Sequence, residues 1–279
     1  MDRFFLLAPA MVLFATVCAF TVYCALCLAS RPPVIHDVKH NQLLGPFFAR
    51  FLVWLIGPLE RLLIGRVSPN TITVASLVLC GVTGAAVALR HLPGAVWLYV
   101  FAGILDVLDG RIARLSDQQT PSGALLDSVS DRWGELFVFA GYLWFLRHSP
   151  WMVAVMSAIG GSMMVSYTRA RAESLGVVLS GGVMQRAERI VLVVTGSLIA
   201  AWYGADPEGS ALVEPILGVT MGICGVASTA TAISRWITAY RVLVRRSELC
   251  ASSDAAPGVA PARVLIPSRV RKVAPLEQS

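Results

Sequence analysis

Apolar residues fall along this chain in long runs, without the strict alternation of half-buried strands or the narrow stripe of soluble helices. One run extends from Phe4 to Ala29, and six more follow at about 71–89, 94–115, 123–146, 151–168, 190–203 and 212–240. About 20 apolar residues carry a helix across the hydrocarbon of a bilayer. The pattern therefore predicts an all-α integral membrane protein: a six-helix transmembrane core within 70–246, with an extra N-terminal anchor helix in 1–30. The first run is too long for a signal peptide's apolar region and has little positive charge before it, so it reads as a retained anchor. The segment 43–66 differs, because Pro46, Arg50, Pro58, Glu60 and Arg61 interrupt its apolar residues. It suits an interfacial helix in the headgroup plane, broken at Gly57-Pro58. Residues 247–279, rich in Ala, Pro, Ser and basic side chains without periodicity, read as a disordered cytoplasmic tail.

Composition sharpens the class. Of 279 residues, 56% are hydrophobic and 14% charged, against roughly 25% charged in soluble domains, and the mean hydropathy is +0.68. These values exclude an ordinary soluble globule. The net charge of +6 points to anionic lipid on the cytoplasmic side, with no nucleic acid partner, since the basic tail lacks interleaved aromatics. With the N-terminus outside, most arginines from Arg31 to Arg246 fall on the cytoplasmic side, while Asp206, Glu208 and Glu214 lie in an outer link. That distribution is expected of a multi-pass protein of a bacterial-type inner or plasma membrane. Cys24 and Cys27 form a C-x-x-C pair, but inside an apolar run with no second pair they read as helix-packing residues.

Four carboxylates break the apolar pattern together. Asp106 and Asp109 stand near the end of one expected span, Asp127 and Asp131 near the start of the next. Spacings of three and four residues put each pair on one helix face. The short link makes the two helices antiparallel, so both pairs reach the same depth, just inside the cytoplasmic boundary. Clustered negative charge there calls for a cation, and all-oxygen ligands favour Mg²⁺ or Mn²⁺. Gly110 and Gly123 remove side chains where something bulky must approach the backbone, and Arg114 brings a planar fork suited to phosphate. Together these groups suit displacement at a diphosphate.

Asp106, Asp109, Gly110, Ala113, Arg114, Gly123, Asp127 and Asp131 spell D-x2-D-G-x2-A-R-x8-G-x3-D-x3-D. At residue frequencies of roughly 5–9% a chance match is on the order of 10⁻¹⁰ per starting position. The string resembles the signature of the CDP-alcohol phosphatidyltransferase family. The resemblance implies that Asp106, Asp109 and Asp127 ligate metal and that Asp131 is the catalytic general base and also lies among the metal ligands. It implies further that Gly110 and Ala113 pack under the cytidine, with Gly123 on the nucleotide side, and that Arg114 holds the diphosphate. Ser68-Pro69-Asn70-Thr71-Ile72-Thr73 is similar to the family's Pro-Asn-x-x-Thr motif, which would put Asn70 and Thr73 near the nucleotide; it reads equally well as a capped helix N-terminus. A homodimer is also implied by the resemblance.

The expected activity is transfer of the phosphatidyl group of CDP-diacylglycerol to a polar alcohol with release of CMP. Transfer of a CDP-linked choline- or ethanolamine-type headgroup to diacylglycerol remains open on these residues, as does, more remotely, a cation transporter. Arg169 and Arg171, then Arg186 and Arg189, flank the one long cytoplasmic link. They are either positive-inside anchors or, as in the phosphatidylinositol-phosphate synthase-like branch, acceptor-binding groups for a phosphorylated polyol such as inositol phosphate or glycerol phosphate. Arg132 and Glu135 continue beyond Asp131 as supporting partners or as a buried ion pair.

Overall fold

A computed structural model describes residues 18–29, 45–179 and 181–254. Most of the N-terminal anchor segment, the linker after it and residues 255–279 of the expected tail lie outside the described residues. The regular structure that is described is helical. The helices are α1 (Cys18–Leu28), α2 (Gly45–Leu63), α3 (Pro69–Ala88), α4 (Leu92–Leu115), α5 (Pro121–Phe145), α6 (Met152–Ser174), α7 (Arg186–Tyr203) and α8 (Val213–Asp254).

Local chemistry sets the starts that matter for the site. Ser68 caps α3 by accepting from the Thr71 amide at 3.2 Å, and Pro69 takes the first turn, where its missing N–H costs nothing. Thr120 and Pro121 do the same for α5, with the Gly123 amide 3.0 Å from the Thr120 hydroxyl. The tight turns between α3 and α4 and between α4 and α5 each place one non-glycine residue at positive φ, Arg90 and Asp117. Such short connections force antiparallel neighbours.

Several boundaries differ from the sequence expectation. Pro58 is carried inside α2 without a break; it is exposed there, so the carbonyl it leaves unpaired can be solvated. α6 runs on to Ser174 and α7 starts at Arg186, which shortens the long link to 175–185, because Arg169 and Glu173 form an i,i+4 pair at 2.9 Å that favours helix. α8 passes the expected end at 240 and continues to Asp254; Arg246 there reaches the Gly176 carbonyl at 3.1 Å.

The core runs along the bundle through Cys80, Val87, Tyr99, Phe139, Tyr142, Val155, Val193, Leu217 and Met221. Helices close on it through small residues, as expected where apolar solvent offers no drive for helix association. Gly84 of α3 and Gly141 of α5 are in backbone contact: a Cβ on Gly84 would stand 2.2 Å from the Phe137 carbonyl oxygen, and one on Gly141 2.3 Å from that of Gly84. Gly161 and Gly225 join α6 to α8 in the same manner. The outward faces carry Val78, Phe101, Trp144, Val153, Ile223, Val226 and Trp236, all exposed. A surface so continuously apolar marks a membrane or protein interface, and α3, α4 and the Ser210–Glu248 helix are each long and apolar enough to cross a membrane. α1 docks on α2 through rings, with Tyr23 5.6 Å from Trp54 and Phe20 5.1 Å from Phe51. Cys24 and Cys27 are free thiols.

The glycine contacts make a direct prediction. Gly84→Ala must separate α3 from α5 and should cost about 1–3 kcal/mol, as overpacking does. Gly160→Ala, whose Cβ would meet nothing within 4 Å, should leave stability unchanged or slightly higher; thermal unfolding of the two variants in detergent compares them.

Candidate active site

The carboxylates meet where the end of α4 passes the start of α5. Asp106, Asp109 and Asp127 each bring one oxygen within 4.8 Å of the others. Three oxygen donors at that separation fit one hard divalent cation, whose ligand distances of about 2.0–2.6 Å place donors roughly 3–5 Å apart. Asp109 is the most deeply held, 3% exposed. The buried Thr73 hydroxyl donates to its Oδ2 at 2.6 Å, and the Gly110 amide donates to Oδ1 at 2.5 Å. Thr73 therefore touches a carboxylate of the cluster, so the Ser68–Thr73 motif does more than begin a helix.

Asp131 stands one turn beyond Asp127 and faces an arginine. A single guanidinium nitrogen of Arg186 donates to Oδ1 of Asp106, at 2.5 Å, and to Oδ1 of Asp131. The three side chains are about one-fifth exposed, at 21%, 22% and 23%, so this part of the site is reachable. α7 thus closes the site that α4 and α5 open.

The glycines of the signature sit at close approaches. A Cβ on Gly110 would stand 3.4 Å from Arg114 Nη1, and one on Gly123 3.2 Å from Asn70 Oδ1. Asn70, Gly123, Gly110 and Arg114 consequently share the end of the bundle with the aspartates. Ala113 is half-buried on α4, one turn past Asp109.

The flanking arginines separate, contrary to the expectation that they gather around one loop. Arg169 is exposed and paired with Glu173, and Arg171 is exposed on the last turn of α6. Arg189 is 2% exposed and grips Glu135 with a two-pronged fork, Nε to Oε1 at 2.5 Å and Nη2 to Oε2 at 3.1 Å. Its Nη1 donates to the Met184 carbonyl at 3.0 Å, and Ser162 donates to the same carboxylate. These bonds, all made inside the protein, hold Arg189 as the buried counter-ion of Glu135. Glu135 thus has Arg189 as its ion-pair partner; Arg132 turns back to the Ser128 carbonyl of its own helix.

The loop before Arg186 is clamped by two residues of α8. Thr231 Oγ1 accepts from the Met184 amide at 3.2 Å. Arg235 donates to the Gly181 carbonyl through Nη2 at 2.7 Å and to the Val165 carbonyl through Nη1 at 3.1 Å. Gly181 and Gly182 adopt positive φ, 88° and 131°, a turn that only glycine takes without strain. An arginine inside the apolar run, five residues before its expected end at 240, is the signal the sequence offers.

Residues 66–231 match the family model described as CDP-alcohol phosphatidyltransferase. The phosphatidylinositol phosphate synthase of Mycobacterium tuberculosis is 34% identical over 149 residues, 52% of this chain and 64% of that protein's own length. The protein of the same name from Streptomyces avermitilis is 31% identical over 239 residues, 81% of this chain and 93% of its own. A crystal structure of the M. tuberculosis enzyme in complex with manganese and citrate superposes with a TM-score of 0.58 at 28% identity, covering 66% of this chain and 88% of that one. Another, with CDP-DAG bound, gives 0.57 at 30% identity over 67% and 94%.

The contrast among the arginines can be measured. Arg189→Met leaves the buried Glu135 carboxylate without its cation and should destabilise the protein by about 3–5 kcal/mol. Arg169→Gln removes an exposed i,i+4 pair and should change stability by less than about 0.5 kcal/mol, both read from unfolding in detergent.

Proposed function

The chain belongs to the CDP-alcohol phosphatidyltransferase family, and on that premise we propose that it transfers the phosphatidyl group of CDP-diacylglycerol to a phosphorylated polyol, releasing CMP. Inositol phosphate is placed ahead of glycerol phosphate as the acceptor. The observation that carries the reading is the meeting of Asp106, Asp109 and Asp127 within 4.8 Å, beside an Arg186 that spans Asp106 and Asp131.

Asp106, Asp109 and Asp127 would hold Mg²⁺ or Mn²⁺, with Asp131 within reach of the ligand set and Thr73 and Gly110 fixing the aim of Asp109. When bound, the cation neutralises the diphosphate oxygens and polarises the phosphorus under attack. Arg114 takes the diphosphate, while Gly110, Ala113, Gly123, Asn70 and Thr73 form the nucleotide side. Asp131 accepts the proton of the acceptor hydroxyl. The freed oxygen bonds to the phosphorus that carries diacylglycerol, the bond from that phosphorus to the bridging oxygen breaks, and its electron pair leaves on CMP.

Arg186 favours a phosphorylated acceptor. A phosphate monoester that replaces a carboxylate on this guanidinium would bring its own hydroxyl beside Asp131, and such charge-assisted forks suit phosphate. Arg169 and Arg171, exposed on α6, add positive potential along the approach.

In this reading α3 to α8 are six spans of a multi-pass protein in a bacterial plasma membrane, α2 lies in the interface and the active site is cytoplasmic. Support comes from charge: Arg66, Arg111, Arg114, Arg171, Arg241 and Arg245 lie toward the aspartate end, whereas Asp206 and Glu208 in the link and Glu214 in the first turn of α8 lie at the other end. Bulk lipid contacts the outer faces, and two copies form a homodimer.

Membranes containing the protein should release CMP from radiolabelled CDP-diacylglycerol only with Mg²⁺ or Mn²⁺ and an acceptor, tested as a panel of inositol phosphate, glycerol phosphate, inositol, serine and choline. Full turnover in excess chelator would sink the metal assignment. Asp131→Asn should lower kcat by about 10²–10⁴-fold with lipid binding largely kept. Arg186→Gln should raise the acceptor KM about tenfold or more while the KM for CDP-diacylglycerol stays nearly fixed. Turnover of an unphosphorylated alcohol at the full rate by both wild type and Arg186→Gln would overturn the acceptor assignment.

A further inference from the structure

Arg111 lies inside the signature segment, between Gly110 and Ile112, yet it takes no part in the chemistry described above. Its Nε donates to Oε2 of Glu60, in the last turn of α2, at 2.6 Å, and the two side chains are only 6% and 12% exposed. The same helices share an apolar cluster. Ile56 and Leu63 come from α2, Ile104, Leu108 and Ile112 from α4, and Ile72 from α3. Positions 56, 60 and 63 form one face of α2, and 104, 108, 111 and 112 one face of α4. The ion pair is thus the polar centre of the seam that joins the interfacial helix to the helix carrying Asp106 and Asp109.

Its direction matters more than its strength. At about 100° per residue, Asp109 lies roughly 200° around α4 from Arg111 and Asp106 roughly 140°. Both aspartates therefore project away from Arg111, Asp106 opposite to the seam and Asp109 at its flank, about 60° from Ile112. Anchorage alone would be served as well by apolar residues of similar volume, since a buried pair gains little net stability over them. A directional bond between charged partners, unlike an apolar contact, fixes how α4 is turned about its own axis. A rotation of ~10° moves a carboxylate ~6 Å from that axis by ~1 Å, beyond the ~0.5 Å within which a metal-binding constellation has to be held.

We propose that Glu60 and Arg111 are positioning residues of the metal site, through which α2 sets the rotation of α4 and so aims Asp106 and Asp109 at the cation. This rests on the metal reading given above. The coupling makes the seating of α2 at the membrane surface part of the geometry of the site.

The test is Mn²⁺ binding by the purified full chain in lipid nanodiscs, followed by loss of the free-ion electron paramagnetic resonance signal and paired with thermal unfolding. Glu60→Gln and the double variant Glu60→Leu/Arg111→Met are compared with wild type and with Asp109→Asn. Removing both charges together avoids a stranded ion, so the double variant should keep an unfolding temperature near that of wild type. The proposal expects both variants to bind Mn²⁺ about tenfold or more weakly, with kcat restored at saturating Mn²⁺. A folded double variant whose Kd for Mn²⁺ stays within twofold of wild type overturns it, as does a turnover defect that excess Mn²⁺ leaves untouched. Should Glu60→Gln fail to fold, the double variant decides alone. A wild-type chain that takes up no Mn²⁺ overturns the metal reading and this proposal with it, whereas Mn²⁺ binding without phosphatidyl transfer counts against the proposed reaction only.

Discussion

Carboxylates gathered at one end of an apolar bundle set the terms for the rest of this structure. Asp106, Asp109 and Asp127 approach within 4.8 Å of one another, and Asp131 joins them through Arg186. In a medium of reduced dielectric, repulsion at such distances amounts to several kcal/mol per pair even at an effective dielectric constant near 20. Positive charge must therefore be held close, from the chain, from a cation, or from both. The arrangement around the cluster follows from that need: Thr73 and the Gly110 amide donate to Asp109, Arg186 bridges two helices, and Arg114 stands against Gly110.

The same economy governs the cations farther from the cluster. Arg189 is held by Glu135 and the Met184 carbonyl, Arg235 by the Gly181 and Val165 carbonyls, and Arg111 pairs with Glu60. Each of these buried guanidiniums ties together segments distant in sequence. Arg189 and Arg235 pin the two ends of 181–184 and so deliver Arg186 to the aspartates, while Arg111 fastens α2 behind α4. Directional bonds of this kind specify geometry where apolar contacts specify only proximity. The glycine contacts at Gly84, Gly141, Gly161 and Gly225 complete the frame by letting backbones touch, so the ends of the helices are placed by rigid packing.

Much of this was legible in the sequence because it is local. Runs of apolar residues announce helices, since every backbone group must be satisfied within the span, and the helix positions follow those runs closely. The spacings 106/109 and 127/131 put each pair of aspartates on one face, and the short link between α4 and α5 brings the pairs to one depth. Ser68-Pro69 marked a helix start. Errors fell where a local rule met a compensating context. Pro58 suggested a break, but its exposed position lets α2 continue; Arg169 and Arg171 suggested a loop, but an i,i+4 pair prolongs α6.

What the sequence by itself determined was the helical class, the signature and the depth at which its carboxylates meet. Only the tertiary structure decided the partners of the arginines. Arg186 and Arg189 are three residues apart and alike in composition and neighbourhood, yet one reaches the reachable pair Asp106 and Asp131 while the other is buried on Glu135. Arg235 and Arg111 likewise gained their roles from Gly181, Val165 and Glu60, each more than 50 positions away. The physical reason is that a charge in an apolar bundle must find its counter-charge or carbonyl wherever packing presents one. Which one it finds depends on how each helix is turned about its axis, and that rotation is set by contacts between helices.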